Sequence, residues 1–272
     1  EKDNPRDFTL LKRTRLSELK RGIYTKTDWG NMRPSWHLQC AAMSMRYLGD
    51  YYDIHCAGRE LVFPHHENEI AIAGALTGKT LAKYWIHCDR VLVDGKKVDE
   101  GDALTIQGLL DKGFTGRMIR YWLLSVNYRK PVLFSVARLN RVRKTLARLD
   151  ACVRALKNVR WGNPCGELDQ LCYDIKNGFT TAMDDDLNIA AALASLFRVI
   201  KRINTLILNA EIDSAGAKKV LETLAQINMA VNIFDFEDPT ENPAVQRLMA
   251  ERNRARKDKD WVLADRLRGQ LL

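Results

Sequence analysis

The sequence predicts an α/β segment followed by an all-α segment, with the change of character near residue 134. Before that point short apolar runs, Tyr52 to Ile54, Leu61 to Phe63 and Val91 to Val93, alternate with helical stretches and Gly or Pro punctuation, the rhythm of an α/β domain. After it, apolar residues recur in steps of three and four, which is helical periodicity. The 272 residues, 46% apolar and 28% charged, suffice for one large domain or two ordinary ones. The expected division is residues 1–133 and 134–272.

Taken in order, Lys12 to Lys26 is polar and basic with little periodicity, and is expected to be an exposed connection or arm. Pro64 suits the first turn of a helix, because its missing N–H would be unpaired there anyway. From Phe134 to Val159 a stripe of Leu139, Val142, Leu146, Leu149, Val153 and Leu156 runs down one long helix. Its other faces are basic, with Arg138, Arg141, Arg143, Lys144, Arg148, Arg154, Lys157 and Arg160 set against Asp150. A second long helix is expected from Asn188 to about Asn209, capped by Asp186 or Asn188 and buried through Leu193, Leu196, Phe197, Ile200, Ile203 and Ile207. Ala215 to Asn228 and Pro243 to Leu272 read as further helices, so the second half is a bundle with short connections.

Composition excludes several classes. The chain is too apolar for disorder, and no run reaches the roughly 18 apolar residues of a membrane span. Glu1 to Leu10 is charged where a signal peptide is apolar. Six cysteines, none at CxxC spacing, are too few for a disulfide framework, so the expectation is a soluble protein of a reducing, cytoplasmic compartment. With 43 Lys and Arg against 34 Asp and Glu, the net charge of +9 favours a polyanionic partner, nucleic acid before membrane, although plain enzymes carry such a surplus too.

All five histidines lie between His37 and His87, most densely in Phe63-Pro64-His65-His66-Glu67-Asn68-Glu69. On a helix His65 and Glu69, at i and i+4, project from one face, a spacing that suits metal ligands. Cys40 could add a thiolate, and a Cys/His/Glu set fits zinc. A helix N-terminus with hydrogen-bonded histidines explains the same spacing without metal. Asp184-Asp185-Asp186 could likewise attract Mg²⁺ or Ca²⁺, but acids just before a long helix are more simply read as satisfying its free N–H groups and dipole.

Arg33-Pro34-Ser35-Trp36-His37-Leu38-Gln39-Cys40, Asp53-Ile54-His55, Phe63 to Ile70, Lys83-Tyr84-Trp85-Ile86-His87, Met183 to Asn188 and Ala255 to Arg268 together resemble the cysteinyl-tRNA synthetases, collinearly and over nearly the whole chain. The resemblance implies the C-terminal half of a class I synthetase Rossmann-like catalytic domain followed by a helical bundle facing tRNA. It implies a zinc ion that takes the substrate cysteine's thiolate, with Cys40, His65 and Glu69 at three of its four ligand positions and water, Cys56 or Cys88 as candidates for the fourth. It places Trp36 and His37 in the cysteine pocket, and His55, Gly58 and Glu60 in the stretch that approaches the ATP base and ribose. Arg138, Arg141, Lys144 and Arg148 fall where the family adjoins the tRNA acceptor arm.

The chain also departs from that pattern. The family's first zinc cysteine and its HIGH motif precede the region matching Glu1, and a small anticodon-reading module follows the region matching Leu272. The second signature loop, Lys-Met-Ser-Lys-Ser in the family, corresponds to Gly95 through Asp102, where Lys97 keeps the first lysine and Asp99 and Glu100 replace cation with anion. A carboxylate there repels a triphosphate. The glycine stretch reads His55-Cys56-Ala57-Gly58, with side chains where the backbone should approach ATP. The expectation is a cysteinyl-tRNA synthetase-like protein that binds tRNA and, through zinc, cysteine, and that does not activate cysteine with ATP alone. The alternative is an active cysteine–tRNA ligase working as one half of a split enzyme; a weaker third reading is a related ligase without this ATP mechanism. Half a nucleotide-binding sheet would leave an open edge, to be covered by self-association, by a second chain, or by a rebuilt fold that uses the Lys12 to Lys26 arm.

Overall fold

The computed structural model describes residues 4–93, 95–98, 104–237, 247, 248, 250–252, 254, 255, 258 and 260–271. They divide into two compact units, 1–90 with 128–131, and 91–127 with 132–272.

The first unit opens with a three-stranded antiparallel sheet in the order β1-β3-β2, built from β1 (Leu11–Arg13), β2 (Thr25–Thr27) and β3 (Gly30–Pro34), with the short helix α1 (Leu16–Lys20) after β1. The expected arm is therefore folded. Its polar, β-poor sequence hides this because such short strands carry too few residues for an alternating pattern to stand out. Helix α2 (Trp36–Leu48) follows, its N-terminus capped by the Ser35 hydroxyl, which accepts from the Leu38 N–H at 3.4 Å. Then comes a βαβ unit: β4 (Tyr51–Gly58) pairs in parallel with β5 (Leu81–Cys88), and α3 (Glu67–Thr77) is the crossover. The run Leu61 to Phe63 is not a strand. It lies in a 3₁₀ turn (Arg59–Leu61) that runs into a π turn (Val62–His66), and Pro64, which lacks the N–H a ladder needs, sits inside this lead-in and not on the first turn of α3 itself.

The second unit has a small sheet in the order β7-β6-β8, from β6 (Val91–Val93), β7 (Lys96–Lys97) and β8 (Val132–Phe134), with α4 (Ile106–Asp111) and α5 (Gly116–Leu124) between β7 and β8. Four long helices follow: α6 (Val136–Lys157), α7 (Leu168–Asp184), α8 (Ile189–Leu208) and α9 (Ser214–Val231), with a further helix over Trp261–Leu271. The α6 stripe is buried as its spacing predicts, Leu139, Leu146, Leu149, Val153 and Leu156 all being at most 2% exposed. On α8, Leu193, Leu196, Ile200 and Ile203 are buried, while Phe197 and Ile207 pack at the margin. The cap of α8 is Asn188, whose Oδ1 accepts from Ala191 N–H at 3.2 Å. The aspartates do not cap this helix: Asp184 ends α7, and Asp186 and Leu187 form a left-handed turn between the two helices. Arg120 donates to the Val231 carbonyl at 2.5 Å and Lys157 to that of Phe236 at 2.5 Å, tying the end of α9 to α5 and the segment after it to α6.

The six cysteines are free thiols. Cys56 and Cys88 are exposed, Cys152 and Cys172 are buried, and burial pushes the Cys152 thiol up to about 11. Iodoacetamide at neutral pH is therefore expected to label Cys56 and Cys88 in the folded protein and to reach Cys152 and Cys172 only after denaturant is added. Peptide mass spectrometry reads the order, and native labelling of Cys152 as fast as Cys56 would contradict this packing. Among the described residues no helix is long and apolar enough to cross a membrane.

Candidate functional site

The site forms in the first unit where α2 and α3 lie beside β4 and β5. Trp36 and Cys40 are four residues apart on α2 and share a face, as His65 and Glu69 do across the lead-in and first turn of α3. A cavity of about 290 Å³ is lined by Trp36, Cys40, His55, His65, His66 and Glu69, with Met43, Ser44, Ala57 and Leu61. A wider opening of about 990 Å³ shares Trp36 and His65 and adds Arg6, Lys12, His37 and Asn68. The sequence-predicted Cys40, His65 and Glu69 thus meet in one cavity, with Trp36 between the two openings.

Glu69 is 3% exposed, on a helix face that must carry a carboxylate into the interior. Its carboxyl is raised above the ordinary value, first by burial, with a hydrogen bond from the Cys40 thiol acting in the opposite direction. The Cys40 thiol is itself raised by burial and then by the neighbouring Glu69 charge. Glu69 Oε2 is buried without a hydrogen-bond partner, and His55 Nε2 stands 3.8 Å from it. Such an oxygen is costly unless something positive or protic satisfies it.

Around this pair the histidines form two hydrogen-bonded couples. His37 Nε2 and His65 Nδ1 share a bond of 3.0 Å, and the Asn68 amide meets His37 Nδ1 at 3.1 Å. His66 Nδ1 and His87 Nε2 share one of 2.8 Å. His66 is 4% exposed and lowered to about 4, by burial first and then by His55, His87 and His65, so at neutral pH it is an uncharged imidazole. His55 accepts or donates at 2.6 Å with the Tyr52 hydroxyl and stacks on Trp85, ring centroids 4.4 Å apart.

His66, His87, Trp85 and Tyr52 are lining and support residues that spacing did not single out. Register could have found two of them. Trp85 is paired with His55 and His87 with Ala57 across the parallel strands, so both stand on the face that carries His55.

The other expected residues are placed less closely. Gly58 ends β4, and a Cβ there would lie 2.9 Å from the Glu60 carboxylate, which folds over it and pairs with Arg90 at 3.6 Å. Lys97 lies on β7, but its side chain and the whole of Asp99 and Glu100 are outside the described residues. Arg138, Arg141, Lys144 and Arg148 are exposed on α6, the last with its guanidinium 5.5 Å from the Phe197 ring.

The residues present can be tested against zinc. Among the described residues no group of three or more His, Cys, Asp or Glu side chains stands in metal-binding arrangement as it is. The donor chemistry nevertheless fits: a thiol and a buried carboxyl lining one cavity, an unsatisfied carboxylate oxygen, and imidazoles in the same lining.

Residues 1–144 match the family described as tRNA synthetases class I (C) catalytic domain, and residues 178–234 match the DALR domain. The cysteine–tRNA ligase of Chlamydia pneumoniae is 38% identical over 277 residues, covering 100% of this chain and 58% of that protein. That of Carboxydothermus hydrogenoformans is 38% identical over 282 residues, covering 99% and 59%. The chain therefore spans somewhat more than half the length of these relatives. A crystal structure of a ternary complex of Agrobacterium radiobacter K84 agnB2 LeuRS with tRNA and LeuAMS shares the fold, with a TM-score of 0.53 at 16% identity over 77% of this chain and 33% of that one. Motif order, fold and full-length coverage of the chain agree, and the chain belongs to the class I (C) tRNA synthetase catalytic-domain family, resembling cysteine–tRNA ligases.

Proposed function

We propose that the chain selects cysteine in the Cys40–Glu69 cavity, holds tRNA on the exposed basic face of α6, and does not activate cysteine with ATP by itself. The supporting observation is the buried Glu69 carboxylate, with Oε2 unsatisfied, in a cavity that Cys40 and His65 also line. Cys40, His65 and Glu69 would hold zinc there. When bound, zinc attracts a soft thiolate and favours its ionised form, which a serine hydroxyl cannot match. The cavity is near the lower end of ligand-pocket volumes, suited to a small amino acid. Trp36 at its mouth supplies apolar contact area, and the neutral His66 behind it adds no charge to compete for the ligand.

The view of ATP rests on charge. Asp99 and Glu100 stand where the family's loop carries groups that stabilise the phosphoryl transition state, and fixed anions there oppose the reaction they should assist. In cysteine-dependent ATP–pyrophosphate exchange the purified chain is expected to be silent. Exchange by the chain alone would overturn this reading of the loop.

A second reading has its own observation. Residues Ile54 and Tyr84 face each other across β4 and β5 and are 52% and 55% exposed. Two-stranded parallel sheets with an open apolar face are rare, because such sheets are covered on both sides. A second chain supplying further α/β structure, or a second copy, would cover it, and the complex would then be an active cysteine–tRNA ligase. Exchange that appears only with added cell extract would favour this reading. The free thiols suit a cytoplasmic setting.

A further inference from the structure

Two thiols of the first unit stand where free cysteines seldom do. Cysteine is among the residue types most often buried, as Cys152 and Cys172 are here, yet Cys56 and Cys88 are both free and exposed. Both lie at the carboxyl end of the β4–β5 pair. In its parallel register Cys56 is opposite Ile86 and Cys88 is opposite Gly58, so the two cysteines take diagonal positions on one face of the sheet. The other face carries His55 and Ala57, which line the Cys40–Glu69 cavity, with Trp85 and His87 paired to them. Cys56 and Cys88 therefore face away from that cavity, and neither supplies the fourth zinc ligand expected of them.

Spacing limits what the pair can do. One strand across and two residues along set their Cα atoms about 8 Å apart. A disulfide needs less than about 7 Å, so the two sulfurs do not join without a shift of the backbone. An ion between them fits better, because its two bonds to sulfur span the remaining gap. Gly58, opposite Cys88, puts no side chain beside them; the Glu60 carboxylate takes that place, 2.9 Å from where a Cβ would lie, and is paired with Arg90 at 3.6 Å. That carboxylate is a hard donor already matched with a cation. Among the described residues no three His, Cys, Asp or Glu side chains form a metal-binding group, so two thiols must suffice for the ion. Zinc, which takes four ligands, is poorly served by them. Cu(I) is soft, favours thiolates and is satisfied by two of them in line.

We propose that Cys56 and Cys88 together bind one Cu(I) ion, in a two-thiolate site on the face of the β4–β5 sheet opposite the amino-acid cavity. Each thiol releases its proton to solvent as its sulfur takes the ion, so Cu(I) and two thiols give a singly negative complex and two protons, with no change of oxidation state. The strands hold the second sulfur a fixed step from the first. Its bond is then intramolecular, which raises affinity over a single thiol by about 10²- to 10⁴-fold. Neither the tRNA reading nor the zinc reading is needed for this site.

The test uses the purified chain, anaerobic and reduced with a phosphine, titrated with Cu(I) against bicinchoninate as competitor. Once one Cu(I) per chain is bound, iodoacetamide should no longer label Cys56 or Cys88, read by peptide mass spectrometry, while Cys165 reacts as before. The same protection should appear in Cys40→Ser, which separates this site from the cavity. Cys56→Ser should restore labelling of Cys88, and Cys88→Ser that of Cys56, with Cu(I) affinity lowered at least about a hundredfold in each. Both side chains are exposed, so an unchanged melting temperature shows that the variants are folded. The proposal is overturned if either cysteine stays protected when the other is serine, or if Zn²⁺ at the same concentration protects the pair equally well. Uptake of half an ion per chain with a doubled mass by size exclusion would also overturn it, since one ion would then join two chains.

Discussion

Replacing Arg138, Arg141 and Lys144 together with glutamine is expected to lower tRNA affinity by about two orders of magnitude near 100 mM salt and to reduce the log–log salt slope by about 2.7 units. The three side chains are exposed and follow one another at steps of three along α6, so they present a single edge to a phosphate backbone. Their removal should leave the fold intact, because the buried face of the helix is carried by Leu139, Leu146, Leu149 and Leu156. Other cations of the same helix have structural partners: Arg143 donates to the Gly113 carbonyl at 3.3 Å, Lys157 reaches the Phe236 carbonyl, and Arg148 lies against Phe197. Their loss would mix stability with binding. Filter binding or anisotropy across a salt series is the measurement. A slope equal to that of the unaltered chain would mean that tRNA does not use this edge, and equal affinity for any duplex would remove the dedicated tRNA role.

Legibility in the sequence followed element length. Helices α6 and α8 run for many turns with an unbroken apolar stripe, so periodicity locates them to within a few residues and identifies most of their core. The strands of the β1-β3-β2 sheet are three to five residues long, and Lys12 and Arg13 occupy β1 where a strand signal needs β-branched or aromatic residues. Pattern reading therefore turned a folded sheet into an arm. In the run Leu61 to Phe63 three apolar residues were too few to distinguish strand from turn, and Pro64 decided for the turn. Helix α7 was covered only by the general helical character of the second half.

The site was legible for a different reason. His65, Glu69 and Cys40 were marked by residue type and spacing, and the collinear resemblance assigned them a common role that spacing could not. Burial was not legible. That His66, not its neighbour His65, is the enclosed imidazole depends on the turn before α3 and on His87 arriving from β5, contacts made between elements distant in sequence.

The second large effect concerns the metal. Chain purified without chelator is expected to hold about one zinc, and Glu69→Gln or Cys40→Ser to hold less than about a tenth of that, by elemental analysis. Glutamine keeps the size and one oxygen of Glu69 but removes the charge that offsets the ion, and serine replaces a soft, ionisable donor with a hard, neutral one. The sign of the pH dependence follows from burial. Both Cys40 and Glu69 are shifted upward, so each must release a proton to bind zinc at a pH higher than in an exposed side chain. Zinc affinity should therefore fall as the pH is lowered, beginning above the range in which an ordinary carboxylate takes up its proton, and zinc binding at neutral pH should release protons measurable by calorimetry in buffers of different ionisation enthalpy. The fold should not go with the metal. Cys40 on α2 and Glu69 on α3 belong to helices that pack with each other and with β4 and β5, and that packing does not run through the metal. A melting temperature that changes by only a few degrees on adding chelator, with cysteine binding lost, would separate a ligand-selecting metal from one that holds the chain together; cysteine bound equally well by the metal-free chain would remove zinc from the selection of the amino acid.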